Sequence, residues 1–380
     1  MAVSRRAFVR TLGVSGATAL TLPAWISARG MEAANAEPLD AAWRAQDGVL
    51  RLDSNENPNG PVPAAIRAMS ASFKRAAHYP ASGERVLREA IAEANGLSEE
   101  QILLGSGSGE ILRLAVQAFC SPSKHLVTAV PTFETPAAYA HVLDLPVHEV
   151  PLTSAHALDT DRMLREVRGA GLVFFCNPNN PTGHVIGKRD AEAFVRAALA
   201  ADPEVIILVD EAYHEFVDDP NYASMLPLCA EHPRVFVSRT FSKIYGLAGM
   251  RIGYAFGQPA TLARMDRLRL NNGIGTLAQV AAIAALDDPA QMRKEQEGNR
   301  AARAFTTKWF ADAGYSVVPS QTNFVLVDIR RDSRTFRDAC RAQGVGVGRP
   351  FPPLNNHTRI SIGTMTEIQQ AVGVFRRVLG

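Results

Sequence analysis

The stretch between residues 238 and 253 reads Ser238-Arg239-Thr240-Phe241-Ser242-Lys243-Ile244-Tyr245-Gly246-Leu247-Ala248-Gly249-Met250-Arg251-Ile252-Gly253. It follows an apolar run and sets Lys243 among hydroxyl side chains and glycines, eight residues before Arg251. Most lysines are solvated surface groups. A lysine that forms an imine, however, must lose its proton, and burial and nearby cations favour this loss from a reference pKa of about 10.4. Thr240, Ser242 and Arg251 form a candidate phosphate-binding set beside it, where glycines let the backbone approach closely.

Outward from this stretch, short apolar runs alternate with longer amphipathic ones. The strand-like runs are 126–130, 172–175, 205–209, 235–238 and 251–256, and the helix-like runs are 110–119, 190–201 and 261–270. Several strand-like runs are apolar at consecutive positions, as expected when both faces of a parallel strand are covered. The alternation predicts an α/β fold with a mostly parallel, doubly wound sheet that binds ligands at the carboxyl ends of its strands.

The order of strand-like and helix-like runs changes after residue 286. A long charged helical run at 290–313 leads into strand-like runs at 323–328 and 358–362 and helix-like runs at 333–342 and 366–379. We predict a large domain at 62–286, a smaller α+β domain at 287–380, and an N-terminal arm at 37–61 that packs with the smaller domain. The substrate site is then expected between the two domains.

Residues 1–36 have the features of a targeting segment. Ser4-Arg5-Arg6-Ala7-Phe8-Val9-Arg10 precedes an apolar run at 12–26, and Ala34-Asn35-Ala36 is a small-residue cleavage site. The run is too short and interrupted for a spanning helix. The paired arginines resemble a twin-arginine export signal, which implies export and a periplasmic location. The alternative is an amphipathic N-terminal helix.

Charge and cysteine content exclude several classes of function. The 380 residues carry a net charge of +2, and no run of five like charges occurs, so neither nucleic acid nor an anionic membrane is an expected partner. The four cysteines are far apart and form no C-x-x-C pair, and the nine histidines are scattered. We therefore expect no metal site and no disulfide framework.

Two further motifs lie where strand-like runs end. Cys176-Asn177-Pro178-Asn179-Asn180-Pro181-Thr182-Gly183 follows one run, and Val209-Asp210-Glu211-Ala212-Tyr213 ends another. A third, Gly105-Ser106-Gly107-Ser108-Gly109-Glu110, opens a helix, whose N-terminal N–H groups attract anions. Each has an ordinary structural alternative: asparagine and proline build turns, aspartate caps helices, and glycine-rich turns are common.

The remaining motifs lie nearer the ends of the chain or between these. They are Arg51-Leu52-Asp53-Ser54-Asn55-Glu56-Asn57-Pro58-Asn59-Gly60-Pro61, His78-Tyr79-Pro80, Pro131-Thr132-Phe133 and Thr358-Arg359-Ile360-Ser361-Ile362-Gly363. Taken in order over residues 51–363, the motifs resemble those of class I/II aminotransferases, pyridoxal 5'-phosphate (PLP) enzymes of fold type I. The similarity is greatest to the histidinol-phosphate aminotransferases.

The resemblance implies a PLP site. Lys243 corresponds to the lysine that holds the cofactor covalently, and Asp210 to the carboxylate beside the ring nitrogen. The other implied cofactor residues are Tyr79, Ser108, Gly109, Phe133, Asn180, Tyr213, Thr240, Ser242 and Arg251. Gly109 stands where the family usually has aspartate. Tyr79 corresponds to a tyrosine that reaches the cofactor phosphate of the neighbouring subunit, which implies a homodimer.

The same resemblance implies substrate residues and a reaction. Arg359 corresponds to the arginine that binds the substrate carboxylate, Arg349 to one at the substrate's phosphate end, and Asn55 and Asn323 to further substrate contacts. The expected reaction is amino transfer from an amino acid or amine, histidinol-phosphate-like, to a 2-oxo acid. The alternatives are a PLP-dependent decarboxylase or lyase and a non-catalytic PLP-fold binding protein. Residues 271–276 depart from the family's loop, which also favours a paralogue with another amino acid or amine as donor.

Overall fold

A seven-stranded sheet forms the centre of the computed structural model, which describes residues 48–380. The predicted signal at 1–36 and the first part of the predicted arm lie outside these residues. The strands are β2 (Ile102–Gly105), β3 (His125–Val130), β4 (Val147–Pro151), β5 (Ala170–Cys176), β6 (Ile206–Asp210), β7 (Val235–Thr240) and β8 (Gly253–Phe256). Their order is β2-β8-β7-β6-β5-β3-β4. β8 runs antiparallel to both neighbours and the other adjacent pairs are parallel. The predicted mostly parallel α/β sheet is confirmed.

Strands β5 and β6 show why the central runs are apolar at every position. All residues of both strands are buried. Val173 and Phe175 belong to one hydrophobic cluster, whereas Leu172 and Phe174 belong to another on the opposite face. Side chains alternate between the two faces of a strand, so a sheet covered on both sides needs apolar residues throughout. The polar residues come only where the strands end.

Helices cover the two faces. In the first part of the described chain they are α1 (Pro63–Ser72), α2 (Ala81–Asn95), α3 (Ser108–Phe119), α4 (Thr135–Val142), α5 (Thr160–Arg165), α6 (Lys188–Ala201), α7 (Leu226–Glu231), α8 (Pro259–Asp266) and α9 (Thr276–Leu286). The prediction that α8 runs to residue 270 was wrong. Leu270 is 72% exposed, and Arg269 turns to pair with Glu84 at 2.9 Å.

A second sheet lies in the C-terminal part. After α10 (Pro289–Asp312), strands β9 (Ser316–Val318), β10 (Phe324–Asp328) and β12 (His357–Ser361) form an antiparallel sheet in the order β12-β10-β9. Two helices, α11 (Ser333–Arg341) and α12 (Met365–Leu379), share an aromatic cluster with α10. The short strands β1 (Leu50–Leu52) and β11 (Val345–Val347) pair in parallel, which joins the described part of the arm to this region. The domain boundaries stay a prediction.

Between residues 48 and 380, no helix has the length and hydropathy of a membrane span. The same residues contain no group of three or more histidine, cysteine or carboxylate side chains arranged to hold a metal ion.

Candidate active site

A cavity of about 500 Å³ opens at the carboxyl ends of the parallel strands. It is where the motifs at the ends of β3, β5, β6 and β7 meet the start of α3 and of β8. Most of the predicted site residues line it: Asn55, Ser108, Gly109, Phe133, Asn180, Asp210, Tyr213, Thr240, Ser242, Lys243, Arg251 and Arg359. These side chains come from segments far apart in sequence, and the sheet brings them to one edge.

Lys243 extends into this cavity from the loop after β7. Its Nζ atom donates to the carbonyl oxygen of Asn55 at 3.3 Å and lies 5.5 Å from the centre of the Tyr213 ring. Burial lowers the pKa of Lys243 to about 8, and the positive charges of Arg359 and Arg251 act in the same direction. A larger fraction of the amine is therefore neutral near neutral pH, as a nucleophile requires.

Asp210 is the last residue of β6 and is 2% exposed. Its Oδ1 atom accepts a hydrogen bond from Ser238 Oγ at 2.7 Å, and Cys176 Sγ lies 3.9 Å from Oδ2. Burial raises the pKa of Asp210 to about 6, although the Ser238 hydrogen bond opposes the shift. A protonated nitrogen opposite this buried carboxylate would stabilise its ionised form.

Hydrogen bonds connect the amide, hydroxyl and guanidinium groups of another part of the cavity lining. The Tyr213 hydroxyl oxygen accepts from Asn55 Nδ2 at 3.1 Å and from Asn180 Nδ2 at 3.4 Å. The Oδ1 atom of Asn180 accepts from Arg359 Nη1 at 2.7 Å, and Arg359 Nη2 donates to the Asp53 carbonyl at 2.7 Å. Because Tyr213 only accepts in these bonds, its own proton is available to a group in the cavity.

The other end of the cavity is built to receive an anion. Gly107, with φ of 76°, precedes the first turn of α3. A side chain at this position would collide with the guanidinium of Arg251. Arg251 donates to the Ala248 carbonyl at 2.8 Å and to Ser242 Oγ at 3.4 Å. A helix N-terminus and a guanidinium therefore lie together, and both favour a negatively charged group.

Arg251 and Arg359 have one property in common. Within the described chain, both donate only to uncharged oxygen atoms, and neither forms an ion pair with a carboxylate. The Nε atom of Arg359 is buried without a hydrogen-bond partner. Buried charges are normally paired, and Arg359 is only 9% exposed, whereas Arg251 is exposed and open to an anion in the cavity. A PLP phosphate at Arg251 and a substrate carboxylate at Arg359 match this arrangement, and the residues present therefore fit PLP.

Three predicted site residues do not line the cavity. Tyr79 is 87% exposed. Asn323 is buried behind the arm and donates to the carbonyl oxygens of Asn55 and Glu56 at 3.0 and 3.4 Å. Through these two bonds Asn323 contacts the backbone of the arm and not the cavity. Arg349 contacts the carboxylate of Glu134 and lies over the Phe351 ring.

Several supporting residues escaped the sequence analysis. Ser238 holds Asp210, and Ser361 Oγ donates to Asn55 Oδ1 at 2.7 Å. Ser238 is the register partner of Asp210 in the neighbouring parallel strand, a relationship that needs the strand order. Glu211 points away from the cavity and pairs with buried Arg239 at 2.9 Å. Its role is therefore structural.

The chain is similar to proteins of known class. Residues 47–375 match the family Aminotransferase class I and II. The histidinol-phosphate aminotransferase of Moorella thermoacetica is 35% identical over 335 residues, which cover 87% of this chain and 86% of that protein. The enzyme of the same name from Symbiobacterium thermophilum is 37% identical, covering 87% of this chain and 91% of its own length.

A solved structure has the same fold. Histidinol-phosphate aminotransferase from Sinorhizobium meliloti, in complex with pyridoxal-5'-phosphate, superposes with a TM-score of 0.82 at 28% identity. The match covers 89% of this chain and 93% of that one. With the family match over most of its length, this chain belongs to the class I and II aminotransferases and is a PLP-dependent transaminase of fold type I.

Proposed function

We propose that this chain moves an amino group from an amino acid or amine to a 2-oxo acid at the cavity around Lys243, which holds PLP covalently. The observation that carries the proposal is the presence of a lysine with a lowered pKa and a buried carboxylate, Asp210, in the same cavity. Perturbed pKa values of this kind cluster at catalytic sites. Arg251 and Arg359, neither of which pairs with a carboxylate within the described chain, account for the two anions that the reaction needs.

Each wall of the cavity has a part in holding PLP. Asp210 would keep the ring nitrogen protonated, and Asn180 and Tyr213 would donate to the phenolic oxygen. Phe133 would pack on the ring face, while Arg251 and the N-terminus of α3, with Ser108, Gly109, Thr240 and Ser242, would hold the phosphate. When bound, PLP supplies an electron sink for the bond that breaks at the substrate's α-carbon.

The protein's own contribution to the reaction is proton transfer and orientation. Lys243, once its amine is neutral, can accept a proton from the substrate α-carbon and return it at a neighbouring atom as general base and acid. Arg359 would grip the substrate carboxylate through its planar guanidinium, with Asn55 and Asn323 holding the arm beside it. The orientation of that carboxylate decides whether a proton or carbon dioxide leaves, so product analysis separates transamination from decarboxylation.

The names of the relatives indicate the class of amino donor. Relatives named histidinol-phosphate aminotransferase suggest an amine of that type, or an amino acid of related size. Arg349, which lies over the same Phe351 ring as Arg359, would contact the anionic end of such a donor.

A homodimer is part of the proposal. Tyr79 is too exposed to serve its own cavity. A groove lined by Gly109 and Arg251, and by the exposed Val142 and Leu270, opens beside the anion end. Apolar residues exposed in this way are common where protein surfaces associate. Tyr79 of one subunit would enter this groove in the other and contact the cofactor phosphate.

Export through the twin-arginine route is likewise proposed, from the segment Ser4–Arg10 and the apolar run after it. Replacement of Arg5 and Arg6 by lysine is expected to retain the protein in the cytoplasm, as measured by fractionation. An unchanged periplasmic fraction would count against this route.

The central test is a screen of amino donors and 2-oxo acids with purified, PLP-loaded protein. We expect transfer products, a PLP absorption band and, after borohydride reduction, an adduct at residue 243. Lys243→Ala should lose the turnover and the adduct, whereas Lys188→Ala, at the exposed start of α6, should keep both. Persistent turnover in Lys243→Ala would contradict the proposal, and release of carbon dioxide in place of a keto product would favour the decarboxylase.

A further inference from the structure

A second cavity, of about 230 Å³, lies between the arm and helix α10 and has no lining residue in common with the cavity around Lys243. Asn59 and Gly298 line it and are exposed, so the cavity opens to solvent. Its apolar lining side chains are Pro58, Phe216, Ala301, Ile362 and Met365. Because an apolar cavity of about 150 Å³ can take up benzene, this one has room for a small ligand with an apolar body.

The carboxylate of Glu295 lines this second cavity, although the residue is only 6% exposed. Its Oε2 atom accepts from Asn59 Nδ2 and its Oε1 atom from Gln291 Nε2, both at 2.7 Å. Both partners are neutral amides, and no basic side chain among residues 48–380 forms an ion pair with Glu295. Buried charges are normally paired with an opposite charge. Glu295 therefore keeps an uncompensated negative charge, which the link to the arm does not need, because a neutral amide oxygen would accept from Asn59 as well.

Asn323 adds an unpaired hydrogen-bond acceptor to the same cavity. The residue is 2% exposed and lines the cavity, and its Oδ1 atom is buried without a hydrogen-bond partner. Its Nδ2 atom donates to the carbonyl oxygens of Asn55 and Glu56. Since both of these partners accept, the amide nitrogen must face them and the oxygen must point away from them. A buried acceptor without a donor is destabilising, so this position favours a ligand with N–H or O–H groups.

The charge around the second cavity disfavours an anionic ligand. Among the described residues that line it, Glu295 is the only charged one. The N-terminus of α12 also reaches the cavity, but it is capped internally, because the backbone N–H and Oγ1 of Thr364 donate to Glu367 Oε2 at 2.8 and 3.1 Å. The basic residues of α10 nearest in sequence to Glu295 are exposed and do not line the cavity: Arg293, Lys294 and Arg300. The lining therefore attracts a cation, whereas a carboxylate or phosphate group would find no charged partner in it.

We propose that the second cavity binds a small primary ammonium ion with an apolar body, at a site separate from the reaction at Lys243. The ammonium group supplies one positive charge for Glu295 and further N–H donors, one of them for Asn323 Oδ1. The apolar body packs against the apolar part of the lining. Residues 48–380 contain no cluster of side chains suited to a metal ion, so the cation expected here is organic.

The test uses benzylamine, which is a cation at neutral pH, and benzyl alcohol, a neutral molecule of the same shape. The PLP-loaded protein is first reduced with borohydride, so that a primary amine cannot react at the cofactor. Calorimetry measures both affinities, and the NMR signal of the Met365 methyl group, assigned with Met365→Leu, locates the ligand. We expect a dissociation constant below about 1 mM for benzylamine and a shift of the Met365 signal. Benzyl alcohol should bind more weakly by about tenfold or more.

Three variants separate the charge of the site from its shape. Glu295→Gln keeps the shape of the side chain and should weaken benzylamine binding by about tenfold or more, while the affinity for benzyl alcohol stays nearly unchanged. Glu297→Gln removes an exposed carboxylate from the same helix and should change neither affinity. Ala301→Leu, at an exposed lining residue, narrows the cavity and should weaken the binding of both ligands.

Absence of benzylamine binding to the unaltered protein would overturn the proposal. Equal affinities for the two ligands would do so as well, because the cavity would then be a purely apolar site. An undiminished affinity of Glu295→Gln for benzylamine, or binding that leaves the Met365 signal unshifted, would place the amine elsewhere. None of these measurements depends on amino transfer, so the proposal is tested separately from the proposed function.

Discussion

Asp210 and Ser238 face each other across the parallel strands β6 and β7, and Ser238 Oγ donates to Asp210 Oδ1 at 2.7 Å. The serine therefore holds a buried carboxylate that burial alone would push towards its neutral form. This contact links the sheet register to the chemistry of the cavity, because a carboxylate that rotates away cannot face a ring nitrogen.

Asp210→Asn should reduce kcat by at least about 10³-fold, where each tenfold step corresponds to about 1.4 kcal/mol of barrier. The amide keeps the shape of the side chain and an acceptor for Ser238 but loses the charge that holds a proton on the ring. Steady-state kinetics with a donor identified in the screen measure the loss. A rate within tenfold of the unaltered enzyme would remove Asp210 from this role.

The same variant should stabilise the cofactor-free protein. Burial raises the pKa of Asp210 from 3.8 to about 6, so the free energy of unfolding falls as the pH rises from about 4 to about 6 and stays low above that. At pH 8 we expect the free energy of unfolding of cofactor-free Asp210→Asn to exceed that of the unaltered protein by about 1–3 kcal/mol. At pH 5 the difference should shrink, because Asp210 is then largely protonated. Urea unfolding at the two pH values tests the sign.

The covalent loading of PLP should depend on pH through Lys243. Because burial lowers the pKa of Lys243 to about 8, its amine becomes neutral as the pH rises through about 8. The loading rate of cofactor-free protein, followed by absorbance, should rise up to that pH and then level off. Arg359→Gln should move the inflection upwards, since Arg359 contributes to the lowered pKa. An inflection near 10 in the unaltered protein would contradict the assignment.

Arg359→Ala should lower kcat/KM for a carboxylate donor by roughly 100-fold or more, because truncating a buried charge that binds a charged partner costs several kcal/mol. Arg359→Lys keeps the charge but loses the planar fork that bonds Asn180 and the Asp53 carbonyl. We expect the lysine variant to recover only part of the loss. Equal activity of all three proteins would exclude Arg359 from carboxylate binding.

Gly107→Ala should loosen the hold on PLP. A methyl group at residue 107 would collide with the Arg251 guanidinium, and the φ of 76° is unfavourable for alanine. We expect about 1–3 kcal/mol of strain and faster PLP dissociation in dialysis. Gly298→Ala, in the helix α10, meets nothing within 4 Å and should change neither quantity appreciably. PLP retention equal to that of the unaltered protein would mean that Arg251 moves aside without consequence.

Much of the fold and of the site inventory follows from local sequence. The apolar runs predicted β3, β5, β6 and β7 because strands buried on both faces need apolar residues at every position. Short strands with few residues, such as β1, β9 and β11, escaped prediction because three residues carry no readable period. The family motifs then named most of the side chains that line the cavity, and several of these motifs follow directly after a strand.

The amino-acid sequence by itself determined the class of fold and the chemical groups that meet in the cavity. Only the tertiary structure decided which of those groups bond to one another. Ser238 with Asp210 and Asn180 with Arg359 are pairs that lie 28 and 179 residues apart. Such pairs depend on strand order, register and the path of the arm. Local periodicity contains no information about them, so the partners of each cavity side chain emerge only when the chain is folded.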